Sequence, residues 1–183
     1  TISTAYNEVA TDPIRPYAYV AGAGGNVQVY NVYTGSLVTT ISGVATQVGI
    51  LAISHDGSTL YAVDTSALSV VPVNLDTYGV GTAWPLSGSP AYPRIVYGRT
   101  NGFGYILAGN GKAYDATSGA VLAPTFFGAV SELAVTRNGT LFCAETVCRT
   151  LDYTALGGGQ LSIGALRSLN ATDFPDNCMD IAI

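Results

Sequence analysis

An all-β fold of four repeated four-stranded sheets is what this sequence predicts, and three observations predict it. A segment recurs: Leu51-Ala52-Ile53-Ser54-His55-Asp56-Gly57-Ser58-Thr59-Leu60-Tyr61 is echoed 82 residues on by Leu133-Ala134-Val135-Thr136-Arg137-Asn138-Gly139-Thr140-Leu141-Phe142. A second landmark follows each copy, an Asn or Asp with a glycine four or five residues later: Asn31 with Gly35, Asn74 with Gly79, Asp115 with Gly119, Asp152 with Gly157. Glycine or proline interrupts every candidate amphipathic helix. Each repeat of about 42 residues therefore holds four short strands, the pattern of a β-propeller blade.

Each element has a local reason. In the second repeat, Leu51–Ile53 and Leu60–Asp64 flank Asp56-Gly57, a pair that tolerates the positive φ of a tight hairpin turn. The first repeat opens with Val9-Ala10-Thr11-Asp12-Pro13 and Tyr17–Ala21, the third with Ile95-Val96-Tyr97, Asn101-Gly102 and Gly104–Ala108. The Asn/Asp landmark should end the third strand by bonding its own backbone, with glycine completing the turn. A variable fourth strand such as Ser36–Ile41 follows. The blades span 5–43, 44–90, 91–128 and 129–170 of a single propeller region covering residues 1–183. Residues 171–183 begin a fifth, since Ile181-Ala182-Ile183 matches Leu51-Ala52-Ile53. Three assemblies accommodate that count: part of a larger propeller, an open module completed by another chain, or a four-bladed ring closed by the last strand.

The order of apolar strand, Asp-Gly, Thr-Leu-Tyr-Ala-Val, then Val-x-Val-Asn/Asp and Thr-Gly resembles the YVTN-type β-propeller repeats of surface proteins and lactonase-like propellers. Tyr19-Val20-Ala21-Gly22 and Leu60-Tyr61-Ala62-Val63-Asp64 stand where that family's name-giving strand would stand. The resemblance covers Glu8 to Ile183 and implies the fold; one fold hosts many functions. The only tryptophan, Trp84, falls in a linker-like stretch, so the tryptophan–aspartate signature of the other large propeller class is missing.

Composition narrows the function. Charged residues are 10% of the 183, with 7 basic and 12 acidic, for a net charge of −5. Such a chain lacks the basic clusters that meet nucleic-acid phosphates. No long apolar run without turn-formers suggests a membrane span. Thr1-Ile2-Ser3-Thr4 has neither a basic nor an apolar leader segment, so any signal peptide is expected to be already removed. A surface this poor in charge needs glycans or burial in an assembly to stay dispersed. Two sequons, Asn138-Gly139-Thr140 and Asn170-Ala171-Thr172, are candidate glycan sites. Three cysteines, Cys143, Cys148 and Cys178, are disulfide candidates in a secreted chain. Cys143 and Cys148 flank a short turn; Cys148 and Cys178 are the other plausible pair.

Candidate chemistry is sparse. His55 beside Asp56 offers an acid–base pair, but the position reads as a hairpin turn. Ala21–Asn26 is glycine-rich without the following helix of a phosphate loop. Asp173, Asp176, Asn177 and Asp180 are the densest oxygen-ligand cluster and weak metal candidates. Glu8, Glu132 and Asp180 stand at channel-side strand starts, where the lactonase resemblance would put reacting groups. Lys112 and Asp115 share one expected strand, with nothing marking a catalytic lysine. Among the tyrosines Tyr6, Tyr17, Tyr19, Tyr30, Tyr33, Tyr92 and Tyr97, those in strands read as packing. Tyr33 and Tyr78 fall in turns and are better contact candidates.

The sequence favours an extracellular or cell-surface structural module for assembly or adhesion, with no cofactor. Its partners are other protein subunits or the missing part of the same propeller, and glycans. A head-to-tail filament is one version of that assembly. The alternatives are a glycan- or peptide-binding propeller of a surface receptor, and a lactonase-like hydrolase; the weight lies against an enzyme.

Overall fold

The computed structural model describes residues 6–22, 24–87, 94–100, 102–123, 133–135, 141–144, 147–154 and 160–167. They form sixteen strands in four four-stranded antiparallel sheets, each with its strands in chain order, and no helix occurs among the described residues. The chain divides into two compact units, Thr1–Ser87 and Gly88–Ile183.

The first unit holds two sheets. One comprises β1 (Tyr6–Thr11), β2 (Tyr17–Gly22), β3 (Val27–Asn31) and β4 (Leu37–Ile41). The other comprises β5 (Val48–Ile53), β6 (Thr59–Asp64), β7 (Ser69–Asn74) and β8 (Trp84–Pro85). Tyr19, Ala21, Val27 and Val29 of the first sheet meet Val48, Leu60, Ala62, Val71 and Val73 of the second in one buried cluster. Each valine or leucine of that cluster contributes roughly 1.5–3 kcal/mol by leaving water. The second strand of each sheet is the most completely covered: Tyr19 through Gly22 of β2 and Leu60 through Asp64 of β6 are all buried, whereas β3 alternates. The edge strand β1 alternates too. Asn7 Nδ2 adds a bond to the Val48 carbonyl, tying β1 to β5 at 2.8 Å.

The second unit also holds two sheets: β9 (Ile95–Thr100), β10 (Phe103–Ala108), β11 (Ala113–Asp115) and β12 (Val121–Ala123), then β13 (Leu133–Val135), β14 (Leu141–Ala144), β15 (Val147–Thr154) and β16 (Gln160–Arg167). In the first of them Tyr105 stands opposite Gly98, where any Cβ would meet its ring within 2.5 Å. The glycine leaves the space that a fully buried aromatic fills.

Three strand assignments differ from the sequence reading. Trp84 is no linker residue: it is buried in β8, paired with Val70. Asp152 does not end its strand, because β15 runs on to Thr154 and pairs Asp152 with Ser162. Lys112 precedes β11 rather than sharing it with Asp115. The fifth-blade strand expected at 171–183 lies outside the described residues.

Candidate interaction surface

The turns of the first unit sort its functional side chains to two ends, because antiparallel neighbours put alternate connections on opposite ends. At one end, the β1–β2 connection is organised by Asp12. Its Oδ1 accepts from the Ile14 and Arg15 amides, both at 2.9 Å, and its Oδ2 accepts from Arg15 Nε and the Tyr19 hydroxyl, both at 2.8 Å. Arg15 then reaches into the second sheet. Its Nη1 donates to the Leu75 carbonyl at 3.0 Å and to Asp76 Oδ1 at 2.9 Å, and its Nη2 donates to the Gly57 carbonyl. The planar guanidinium fork supplies several fixed donors at once, which lysine cannot. Gly57 sits under this hub with φ 66°, and a Cβ there would lie 3.2 Å from Asp12 Oδ1.

Burial pushes the Asp12 carboxyl pKa up, but the Arg15 and Ile14 amides, the Tyr19 hydroxyl and the Arg15 guanidinium outweigh it and hold it below the usual carboxylate value. Tyr19 is pushed the other way, first by burial and then by donating to that carboxylate. These shifts keep the Asp12 carboxylate ionised and the Tyr19 hydroxyl protonated at neutral pH.

At the other end Asp64, a buried acid, joins the β6–β7 turn to the β4–β5 connection. Oδ2 accepts from the Thr46 amide at 2.8 Å, and Oδ1 from the Ser66 and Ala67 amides at 2.9 and 3.1 Å. Burial raises its pKa, and the backbone donors, Thr46 foremost, more than reverse the shift. Nearby, Gly25 packs under the same connection: its φ is 74°, and an added Cβ would lie 1.8 Å from the Ala45 carbonyl oxygen.

The landmark turns behave alike in three blades. Asn31 accepts from the Tyr33 and Thr34 amides, Asn74 from Asp76 and Thr77, and Asp115 from Thr117 and Ser118. The residue four positions on is left-handed each time: Gly35, Tyr78 and Gly119. In the second blade it is thus Tyr78, not Gly79, that takes the positive φ, while its ring packs on the core. Asp64 heads the same turn, with Leu68 left-handed.

Two residues past that position, each of these three blades exposes an aliphatic side chain: Leu37 51%, Val80 42% and Val121 47%. In the first blade the patch is larger. The pairing shifts between Val29/Thr39 and Tyr30/Leu37, so Val38 is the extra residue of a β-bulge. A bulge interrupts the in–out alternation. Leu37 and Val38 consequently both face solvent, beside Val32 and an 85% exposed Tyr33.

The other candidate residues are placed as follows. His55 is half-buried in the β5–β6 turn; Asp56 Oδ1 accepts from the Ser54 and Ser58 hydroxyls, both at 2.7 Å, and from the Ser58 amide, so the carboxylate serves the turn. Of the glycine-rich segment, Ala21 and Gly22 end β2 and residues 24–26 lead into β3, where Asn26 Oδ1 accepts from the Gly43 amide. Glu8 lies in β1 opposite Ala21. Tyr6 is exposed, Tyr17, Tyr30 and Tyr97 are half-buried, and Tyr19 is fully buried. Cys143 and Cys148 are direct cross-strand partners. Tyr92, Glu132, Asn138, Asn170, Asp173, Asp176, Asn177, Cys178 and Asp180 lie outside the described residues. Among the described residues, no group of three or more His, Cys, Asp or Glu side chains could hold a metal ion.

Sequence reasoning missed the Arg15 hub, the left-handed tyrosine and the bulge. Only the first left a trace, an Asp-Pro-x-Arg-Pro turn where the second repeat has Asp-Gly.

The fold has counterparts among solved β-propellers. Hydrazine synthase of Kuenenia stuttgartiensis matches with a TM-score of 0.64 at 13% identity, over 92% of this chain and 52% of that one. The Cps50 (Swd1) β-propeller domain of Myceliophteria thermophila matches with 0.54 at 13% identity, over 92% of this chain and 74% of that one. U3-55K matches with 0.63 at 14% identity, over 89% and 52%. This chain thus spans about half the length of the first and third. No protein-family profile and no curated protein matches the sequence. At these identities the likeness defines the fold alone: the chain is of the β-propeller type.

Proposed function

We propose that this chain is a structural interaction module of the YVTN type, displayed outside the cell, that joins protein subunits through exposed apolar residues in and just after the Asx-headed turns of its blades. The observation that carries the reading is the exposed cluster Val32, Tyr33, Leu37 and Val38, with Val80 and Val121 at the position matching Leu37. Contiguous exposed apolar residues mark contact surfaces, and an exposed tyrosine is a typical interface anchor. The low charge of the chain, 10% of residues, supports burial of surface in an assembly. The sequons at Asn138 and Asn170 support a secreted, glycosylated form. The carboxylates of the described core serve turns and the inter-sheet hub, which supports assembly over catalysis.

The partner is a second copy of this chain, since one apolar patch meeting itself about a two-fold axis is self-complementary. Light scattering across a concentration series tests this. The wild-type mass should rise above 18.8 kDa with concentration, and Tyr33→Ser combined with Leu37→Lys should hold it there. A wild-type mass that never leaves the monomer value, or a variant that assembles equally well, overturns the reading.

A further inference from the structure

We propose that Cys143 and Cys148 form an intrachain disulfide across the β14–β15 hairpin, leaving Cys178 as the odd thiol. The ladder pairs Ala144 with Val147, Cys143 with Cys148, Phe142 with Arg149 and Leu141 with Thr150, without a register shift. Only two residues separate Ala144 from Val147, so that pair closes the hairpin and occupies a hydrogen-bonded position. Antiparallel pairs alternate, which makes Cys143–Cys148 the next, non-hydrogen-bonded pair, with Cα atoms about 4.5 Å apart. That separation falls inside the window of about 4.4–6.8 Å that disulfides take. On its other side Cys148 faces Arg167, so Cys143 is the one cysteine paired with it in this sheet. A slip of one residue would destroy the juxtaposition, and the bond in turn would lock the register of β15.

The chemistry is a two-electron exchange. The two thiols lose two electrons and two protons to a disulfide donor of the glutathione class, which leaves as two thiols.

The test uses the 183-residue chain made without glycans, equilibrated in a glutathione buffer with the reduced form in large excess over the oxidised so that a lone thiol stays free, then unfolded and alkylated. Wild type should take one alkyl group, at Cys178, and three after reduction. The Cys178→Ser variant should take none, and two after reduction. Trypsin should release Asn138–Arg149, which contains both cysteines, lighter by two hydrogens than its reduced form. Alkylation of Cys143 or Cys148 before reduction, a glutathione adduct on either, or a covalent dimer of Cys178→Ser overturns the assignment. Label on Cys143 in wild type would identify Cys148–Cys178 as the bond instead.

Discussion

Gly25 and Gly35 show how much one backbone position can demand. Both are left-handed, but Gly35 has open space around its Cβ direction, whereas Gly25 lies against the Ala45 carbonyl. Alanine at Gly35 meets only the conformational cost of that region, about 1 kcal/mol. Alanine at Gly25 must also displace the β4–β5 connection, and overpacking costs roughly 1–3 kcal/mol more. Urea unfolding of the two variants should give a small and a large loss in that order, and equal losses would mean that the close approach is relieved at no cost. Sequence identified both segments as glycine turns, because turn chemistry is local. It gave the turn of the second blade to Gly79, because the landmark pairs each Asn or Asp with a following glycine. The packing of the Tyr78 ring on the core offsets its disfavoured positive φ.

At the scale of elements, the Asx-headed turn is the reproducible unit. Asn31, Asn74 and Asp115 make the same two amide bonds, and the amide acceptor needs no charge. Asp115→Asn should therefore leave stability within about 0.5 kcal/mol of wild type, while Asp115→Ala should cost about 1 kcal/mol per lost net bond. Thermal unfolding checks the pair; equal losses would show that charge, not turn geometry, matters there. The strands and these turns were legible because apolar alternation and Asx-glycine spacing are written within a few residues. The placement of Trp84 in β8 was not, since a two-residue outer strand has no period to read, and only its pairing with Val70 defines it. The extension of β15 past Asp152 was equally hidden, being decided by the partner strand.

Across the molecule, the repeat announced the sheets, but the contacts that join them are long-range. Arg15 bonds residues 42, 60 and 61 positions away, a relation no local pattern encodes. Two buried-oxygen hubs have a shared consequence for acid. Asp12 and Asp64 both have folded pKa values below their ordinary value. Unfolded aspartates take up protons near pH 3.9, so below that the unfolded chain binds more protons than the folded one. The stabilisation is complete above about pH 4 and disappears as pH falls through the lowered folded values. Urea midpoints should be flat from pH 7 to 5 and drop steeply below 4, and Asp12→Asn should be less stable at neutrality but flatter in acid. A midpoint independent of pH down to 3 would contradict the anchoring role of these carboxylates.

Because the sequence has one tryptophan and it is buried in β8, the first unit carries a private optical label. Indole emission reports the loosening of that outer strand against β7, while circular dichroism averages over every strand. Superposing the two melting curves therefore asks whether the two compact units yield together or in turn, with no dye attached and no residue changed.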